Sequence, residues 1–333
     1  MKVSIIGAGM AGLLAANMLH RHRTHIYEQQ SSLPNNHSAV LRFRSPIVGD
    51  VLGIPFKKVT MIKTVLPWVN PVADALAYSY KNTGQYLSDR SVVSSSFVRE
   101  DRYIAPTNLI QLMADGIPDS HMKFGESFFD PEDNIFRTGL LASDLAKTRD
   151  RAIISTIPMP VLMDALNYSP EANFQFPYQQ GLNIKAKLPN TDAYVSVYVT
   201  DPNLPMSRIS ITGNELIIEF PSARKDKFNG HYCEAMIDKA LGFLGMDDRP
   251  YGERHDCKFG YKVYEQPYHK ILPINETVRK DFMSWATREF NIYSLGRYAT
   301  WRPSLLLDDL VQDIRLIEKW MTGSSSYEIN RRK

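Results

Sequence analysis

Cysteine is scarce in this chain: Cys233 and Cys257 are the only two in 333 residues. They show neither the dense spacing of a disulfide framework nor that of a metal-ligand set, which excludes a small stapled scaffold and fits a reducing compartment. No apolar run reaches the ~18 residues a spanning helix needs, and the first strand pattern begins almost at residue 1, leaving no room for a signal segment. A soluble, cytoplasmic protein without membrane contact is therefore expected. Charge of one sign is also lacking, because 39 Lys and Arg against 36 Asp and Glu leave a net +3. That is too weak a field to argue for nucleic acid across the whole chain. Local basic clusters at Arg21-His22-Arg23, Lys57-Lys58, Arg224-Lys225-Asp226-Lys227 and Arg331-Arg332-Lys333 keep nucleic acid open as a partner. Ser-His-Asp order, His-Glu-x-x-His and paired zinc spacings are missing, so hydrolytic chemistry has no support and no metal is expected.

What is present starts at the N-terminus. Val3-Ser4-Ile5-Ile6 breaks into Gly7-Ala8-Gly9-Met10-Ala11-Gly12 and then into Leu13 to Leu19, which has helical composition. This reads as strand, tight turn and helix, the G-x-G-x-x-G arrangement of dinucleotide sites. Gly7 supplies the turn, Gly9 lets the backbone approach a pyrophosphate, and Gly12 lets helix and strand pack closely. The phosphates then meet free N–H groups at the helix start, where Met10 and Ala11 stand. Glu28 ends the second apolar run, Thr24-His25-Ile26-Tyr27-Glu28, where a carboxylate is expected to accept hydrogen bonds from an adenosine ribose. Near the other end of the chain stands a second glycine with an arginine, Gly296-Arg297. The pairing of these two elements points to FAD.

Periodicity orders the rest. Thr107–Ala114 reads as a capped helix, His121–Phe124 as a short strand and Arg151–Ile157 as a buried strand ending at Pro158. Ala193–Val199 alternates, and Arg208–Ile211 with Glu215–Glu219 forms a hairpin around Gly213-Asn214. Residues 231–244 read as helix, and Pro250–Pro273 as strand and loop. A last helix over about 305–321 carries an apolar stripe at Leu307, Leu310, Val311, Ile314, Ile317 and Met321. The expected fold is α/β, a Rossmann-type FAD-binding domain with an inserted antiparallel-sheet substrate domain. Residues 1–50, 103–165 and 288–322 are assigned to the first, 51–102 and 166–287 to the second, and 323–333 to a polar tail.

Ile292-Tyr293-Ser294-Leu295-Gly296-Arg297-Tyr298-Ala299 followed by Asp308-Asp309-Leu310-Val311-Gln312-Asp313-Ile314 resembles the C-terminal FAD segment of UDP-galactopyranose mutases. It resembles, more distantly, that of flavin amine oxidases and protoporphyrinogen oxidases. The glycine-rich start, Ile153 to Pro160 and Pro273-Ile274-Asn275 agree, so the likeness covers about half of the chain. It implies that Gly296 and Arg297 touch flavin and phosphates, and that the following helix aims its N-terminus at the pyrimidine end of the isoalloxazine, where reduction places negative charge. The histidine-rich loop of the mutases and the R-x-G-G-R of amine oxidases are missing. At the latter's place stand Arg42 and Arg44, read as possible pyrophosphate ligands, with Pro158 also beside the cofactor.

Arg208, Tyr198, Lys262, Tyr264, Tyr268 and Trp301 are the substrate-facing candidates, with Arg297, Trp301, Arg302 and Arg208 assigned to catalysis. The leading expectation is an FAD-dependent oxidoreductase removing a hydride from a C–N or C–O carbon of a small polar or nucleotide-like substrate. Alternatives are a mutase-like non-redox flavoenzyme acting on a nucleotide sugar, flavin-dependent tailoring of nucleic-acid bases, and a non-catalytic FAD-binding protein.

Overall fold

The computed structural model describes residues 1–33, 41–86, 95–126, 128, 151–170, 174–222, 226, 228–246 and 260–323. The N-terminal third runs β1 (Lys2–Ile6), α1 (Met10–Met18), β2 (Arg23–Glu28), β3 (Arg42–Phe43), α2 (Ile47–Leu52), β4 (Lys57–Leu66), α3 (Pro71–Thr83), β5 (Phe97–Ile104), α4 (Leu109–Asp115) and β6 (Met122–Phe124). Then come β7 (Arg151–Ser155), α5 (Met159–Ala165), β8 (Tyr178–Lys187), β9 (Ala193–Val199), β10 (Arg208–Gly213), β11 (Glu215–Pro221) and α6 (Gly230–Phe243). β12 (Tyr261–Ile271), α7 (Glu276–Phe290), β13 (Ile292–Ser294) and α8 (Leu307–Met321) complete the order.

Two sheets result. A five-stranded parallel sheet has the order β13-β7-β1-β2-β6. Its inner strands β1 and β7 are buried on both faces, as a sheet covered on both sides requires. On one face Leu13, Leu14, Leu109, Met113, Leu310, Val311 and Ile314 bring α1, α4 and α8 against Val3, Ile5 and Ile26. On the other, Met159, Leu162, Phe282 and Trp301 pack over Ile6, Ile153 and Ile292. The second sheet has eight strands in the order β12-β8-β11-β10-β9-β4-β5-β3 and is antiparallel except where β4 runs parallel to β9. Alternation along its strands sends Leu182, Ile184, Ile209, Ile211, Leu216 and Ile218 to one face, which α6 covers through Cys233, Ile237 and Ala240. The opposite face carries polar and charged residues such as Ser196, Arg208, Ser210 and Glu219, and α3 covers part of it through Ala75 and Tyr78 against Val65 and Tyr198.

The α/β class with its Rossmann-type parallel sheet and a curled antiparallel sheet thus matches the expectation from sequence. Two boundaries differ: β3 pairs with β5 in the large sheet, so the chain enters that sheet at Arg42, ahead of the expected division at 50, and α7, assigned as far as 287 to the substrate domain, packs Phe282 over the parallel sheet. Helices α3 and α7 were not foreseen. Each begins at an asparagine whose side chain accepts backbone N–H groups, Asn70 from Val72 and Ala73 and Asn275 from Thr277 and Val278. No helix among the described residues is long and apolar enough to cross a membrane. Cys257, the tail beyond residue 323 and most of the basic cluster at 224–227 lie outside the described residues.

Candidate functional site

The glycine turn follows directly from its residues. Gly7 has φ +95, and a Cβ there would stand 2.5 Å from Thr156 Oγ1. A Cβ on Gly12 would overlap the Gly7 carbonyl oxygen, so only glycine permits this approach of α1 to β1. Gly9 differs: it is the extended residue before α1, and a Cβ there would meet nothing within 4 Å. Helix α1 starts without a side-chain cap and without an acid in its first turn, leaving its amide donors and positive dipole end facing that open space.

The Glu28 carboxylate lies against this turn. Oε2 accepts the Ala8 N–H at 2.8 Å and Oε1 the Gln30 N–H at 2.9 Å. It therefore braces the glycine loop, and its remaining lone pairs are what it can offer a ribose.

Gly296 completes the same corner from the far end of the chain. Its φ is +102, and a Cβ on it would lie 3.2 Å from the Ala11 Cβ in the first turn of α1. The loop it opens is fixed by Thr300 Oγ1 donating to Gly296 O (2.7 Å) and by Met159 N donating to Tyr298 O (2.9 Å), which seats Pro158 and α5 beside it. Arg297 stacks over the Tyr298 ring at 5.5 Å, and the Tyr298 hydroxyl donates to Tyr268 O on β12 at 3.0 Å. Gly7, Gly9, Met10, Ala11, Gly12, Glu28, Pro158, Gly296 and Arg297 are thus gathered around the start of α1 and the ends of β1 and β7.

Other sequence candidates stand elsewhere. Arg42 does not turn toward the glycine loop; its guanidinium reaches across the large sheet to Thr212 Oγ1 and Ser196 Oγ, each at 2.8 Å. Residue alternation on β3 decides this, since Phe43 takes the face packed on the core of the parallel sheet. Arg44 pairs with Asp309 (3.0 Å), and Asp308 accepts from the backbone N–H groups of Arg44 and Ser45, tying this segment to the first turn of α8. Trp301 is a core residue, 1% exposed, with its indole N–H donated to Leu272 O (3.0 Å) and its ring edge-on to Phe176. Burial removes it from direct chemistry. Arg302 is engaged with Asp313 of α8 and Thr300 Oγ1, which makes it a brace of the loop.

Arg208 and Tyr198 lie on the polar face of the large sheet, as do Lys262 and Tyr264 by register with Lys185 and Asn183. Arg208 Nη2 donates to Glu219 Oε1 at 2.5 Å, directly across the β10–β11 ladder. Beside them is a residue that sequence reading passed over. His269 is 7% exposed, and its Nε2 is buried without a hydrogen-bond partner among the described residues. Two devices seat it: an irregularity in β12 between Gln266 and Lys270, and Gly181 on β8, where a Cβ would come within 2.6 Å of the imidazole Cγ. A lone glycine inside a strand signals such a close approach, and Gly181 was the available clue.

Burial, and then Lys270, lower the His269 pKa to about 3, with Arg208 and Arg297 adding to the effect and Glu219 opposing it. The native ring stays neutral where the unfolded one, near 6.5, takes up a proton. Stability is therefore expected to fall as pH drops from about 6.5 toward 3, by about 1.4 kcal/mol per pH unit for this proton. Urea midpoints measured across that range should fall less steeply in His269→Gln than in the native chain.

No protein-family model matches this sequence. No curated protein matches it either. Solved structures do. Reduced UDP-galactopyranose mutase superposes with a TM-score of 0.64 at 14% identity, covering 98% of this chain and 96% of that one. Glycine oxidase from Bacillus cereus gives 0.53 at 12% identity over 98% of this chain and 96% of that one. Aklavinone-11 hydroxylase, in a ternary complex with FAD and aklavinone, gives 0.53 at 12% over 96% of this chain and 62% of that one. The chain shares the fold of these flavoenzymes.

Proposed function

We propose that this chain binds FAD and is a flavin-dependent oxidoreductase that takes a hydride from a polar substrate. The observation carrying this reading is the open corner at Gly9, where an uncapped helix start, the Glu28 carboxylate and the distant Gly296 loop meet. A pyrophosphate fits there because its charge meets amide donors and no side chain among the described residues intrudes. Glu28 would hold a ribose, and Gly296 with Arg297 the isoalloxazine end. FAD would supply the electron-accepting chemistry, and the chain's residues do the rest. The polar sheet face orients the substrate through Arg208 and Tyr198, while Tyr268, Tyr298 and Phe176 wall the loop against water.

Two measurements test it. Purified protein should be yellow and release FAD, and a small polar substrate from a panel of amines and alcohols should bleach the colour without oxygen. Colourless protein that takes up no FAD defeats the reading. Glu28→Ala should weaken FAD by about 1–3 kcal/mol, the scale of a charge-assisted hydrogen bond, measured by fluorescence titration.

A mutase-like reading is favoured by one observation, the larger structural overlap with the mutase, 0.64 against 0.53 for the oxidase and the hydroxylase. Turnover of a nucleotide sugar only after dithionite reduction, without net electron transfer, would select it over the oxidoreductase.

A further inference from the structure

The polar face of the large sheet holds charges that do not balance. Arg42 on β3, Lys63 on β4, Arg102 on β5 and Arg208 on β10 act on one another there, and Tyr198 on β9 lies close enough to all three arginines to favour their charged forms. Two carboxylates accompany these four cations. Glu100 takes Lys63 and Arg102, the latter at 2.5 Å, and Glu219 takes Arg208. Arg42 has no carboxylate in contact among the described residues. Its hydrogen bonds go to Thr212 Oγ1, Ser196 Oγ and the carbonyls of Val195 and Ile211. Adding Arg44, Asp308 and Asp309 at the rim still leaves a positive excess.

Hydroxyls and carbonyls satisfy the donors of a guanidinium but do not cancel its charge. Burial, with Arg208 adjacent, lowers the Arg42 pKa to about 9, and burial beside Arg102, Arg42 and Arg208 lowers Lys63 to about 8. A partly buried charge without a carboxylate beside it is costly, and a ligand that brings the counterpart removes the cost. The face is open to one: the Lys63 and Arg102 side chains keep 20% of their surface accessible and Arg208 keeps 27%.

We propose that this face binds an oxyanion, a carboxylate or phosphate group of the substrate, with Arg102, Arg208 and Lys63 as its contacts and Arg42 as the charge behind them. The anion site stands on the sheet itself; only its assignment to a flavoenzyme's substrate rests on the function proposed above.

FAD-saturated protein, with the pyrophosphate site filled, is titrated by calorimetry with sodium phosphate and separately with sodium benzoate. Ionic strength is held constant with sodium chloride, and neutral benzamide serves as the control. One saturable site is expected for at least one anion and none for benzamide. Phosphate alone names a phosphorylated substrate, and benzoate alone a carboxylate. Arg102→Gln should weaken the anion about tenfold, the loss of one charged hydrogen bond, with FAD affinity unchanged. Arg42→Met should hold or raise the melting temperature without anion and abolish the rise that anion gives. A purely structural Arg42 would instead lower both alike. Absence of saturable binding, binding indifferent to both variants, or loss of FAD in either variant would overturn the proposal. Protein that takes up no FAD defeats the flavin reading alone, since benzoate and the two variants still report on the sheet.

Discussion

Leucine in place of Glu219 is expected to cost the fold about 3–5 kcal/mol, read from urea unfolding at pH 7. Glu219 is 5% exposed and is the carboxylate that Arg208 contacts, so its removal leaves a partly buried guanidinium without its carboxylate. The double change Arg208→Met with Glu219→Leu should recover most of the loss, because neither charge then remains. Equal losses in the single and double variants would show that the pair is not coupled. The acid limb gives a second check. Burial pushes the Glu219 carboxyl up, but Arg208 overrides it and pulls the pKa down to about 2, against 4.5 in the open chain. A carboxylate held low contributes stability above its unfolded value and loses it on acidification. The native chain and Glu219→Leu should therefore converge as pH falls from about 4.5 toward 2.

Alanine at Gly12 is expected to destabilise by about 3 kcal/mol and to abolish FAD uptake. Its methyl would overlap the Gly7 carbonyl oxygen, a backbone atom that cannot turn aside, so α1 must lift from β1 and carry its amides away from the corner. Alanine at Gly9 is the contrast. Nothing stands within 4 Å of that position, so the unfolding midpoint should stay within about 1 kcal/mol of the native value while FAD affinity falls. Equal unfolding curves for the two variants, or unchanged FAD affinity in Gly9→Ala, would remove the pyrophosphate from this corner.

The two sites differ in how far the sequence reveals them. Gly7, Gly9 and Gly12 impose their geometry within six residues, and β1, β7 and α8 carry apolar patterns that a window can detect. The polar sheet face is assembled from β3, β4, β5, β9, β10 and β11, whose members are up to 177 positions apart, as Arg42 and Glu219 are. No local pattern marks Lys63, Arg102 or Glu219 as neighbours. Arg42 shows the difficulty best: R-x-R on a strand suggests two guanidiniums on one face, yet Arg42 lies in the two-residue β3 and Arg44 beyond it, and they part toward the sheet and toward α8. Trp301 and Arg302 follow Gly296 closely in sequence, which suggests a place beside the cofactor. The tight loop at Trp301, φ +46, turns the indole into the core instead.

The parallel sheet has β1 at its centre and β13 at one edge, so its last member, Ile292–Ser294, docks on β7 only after every other strand of the sheet has been made. Helix α8, which covers Val3 and Ile5, emerges later still. A ribosome-bound chain therefore holds its first strand and glycine turn without their finished covering until α8 has emerged. Contacts so distant in sequence favour slow folding.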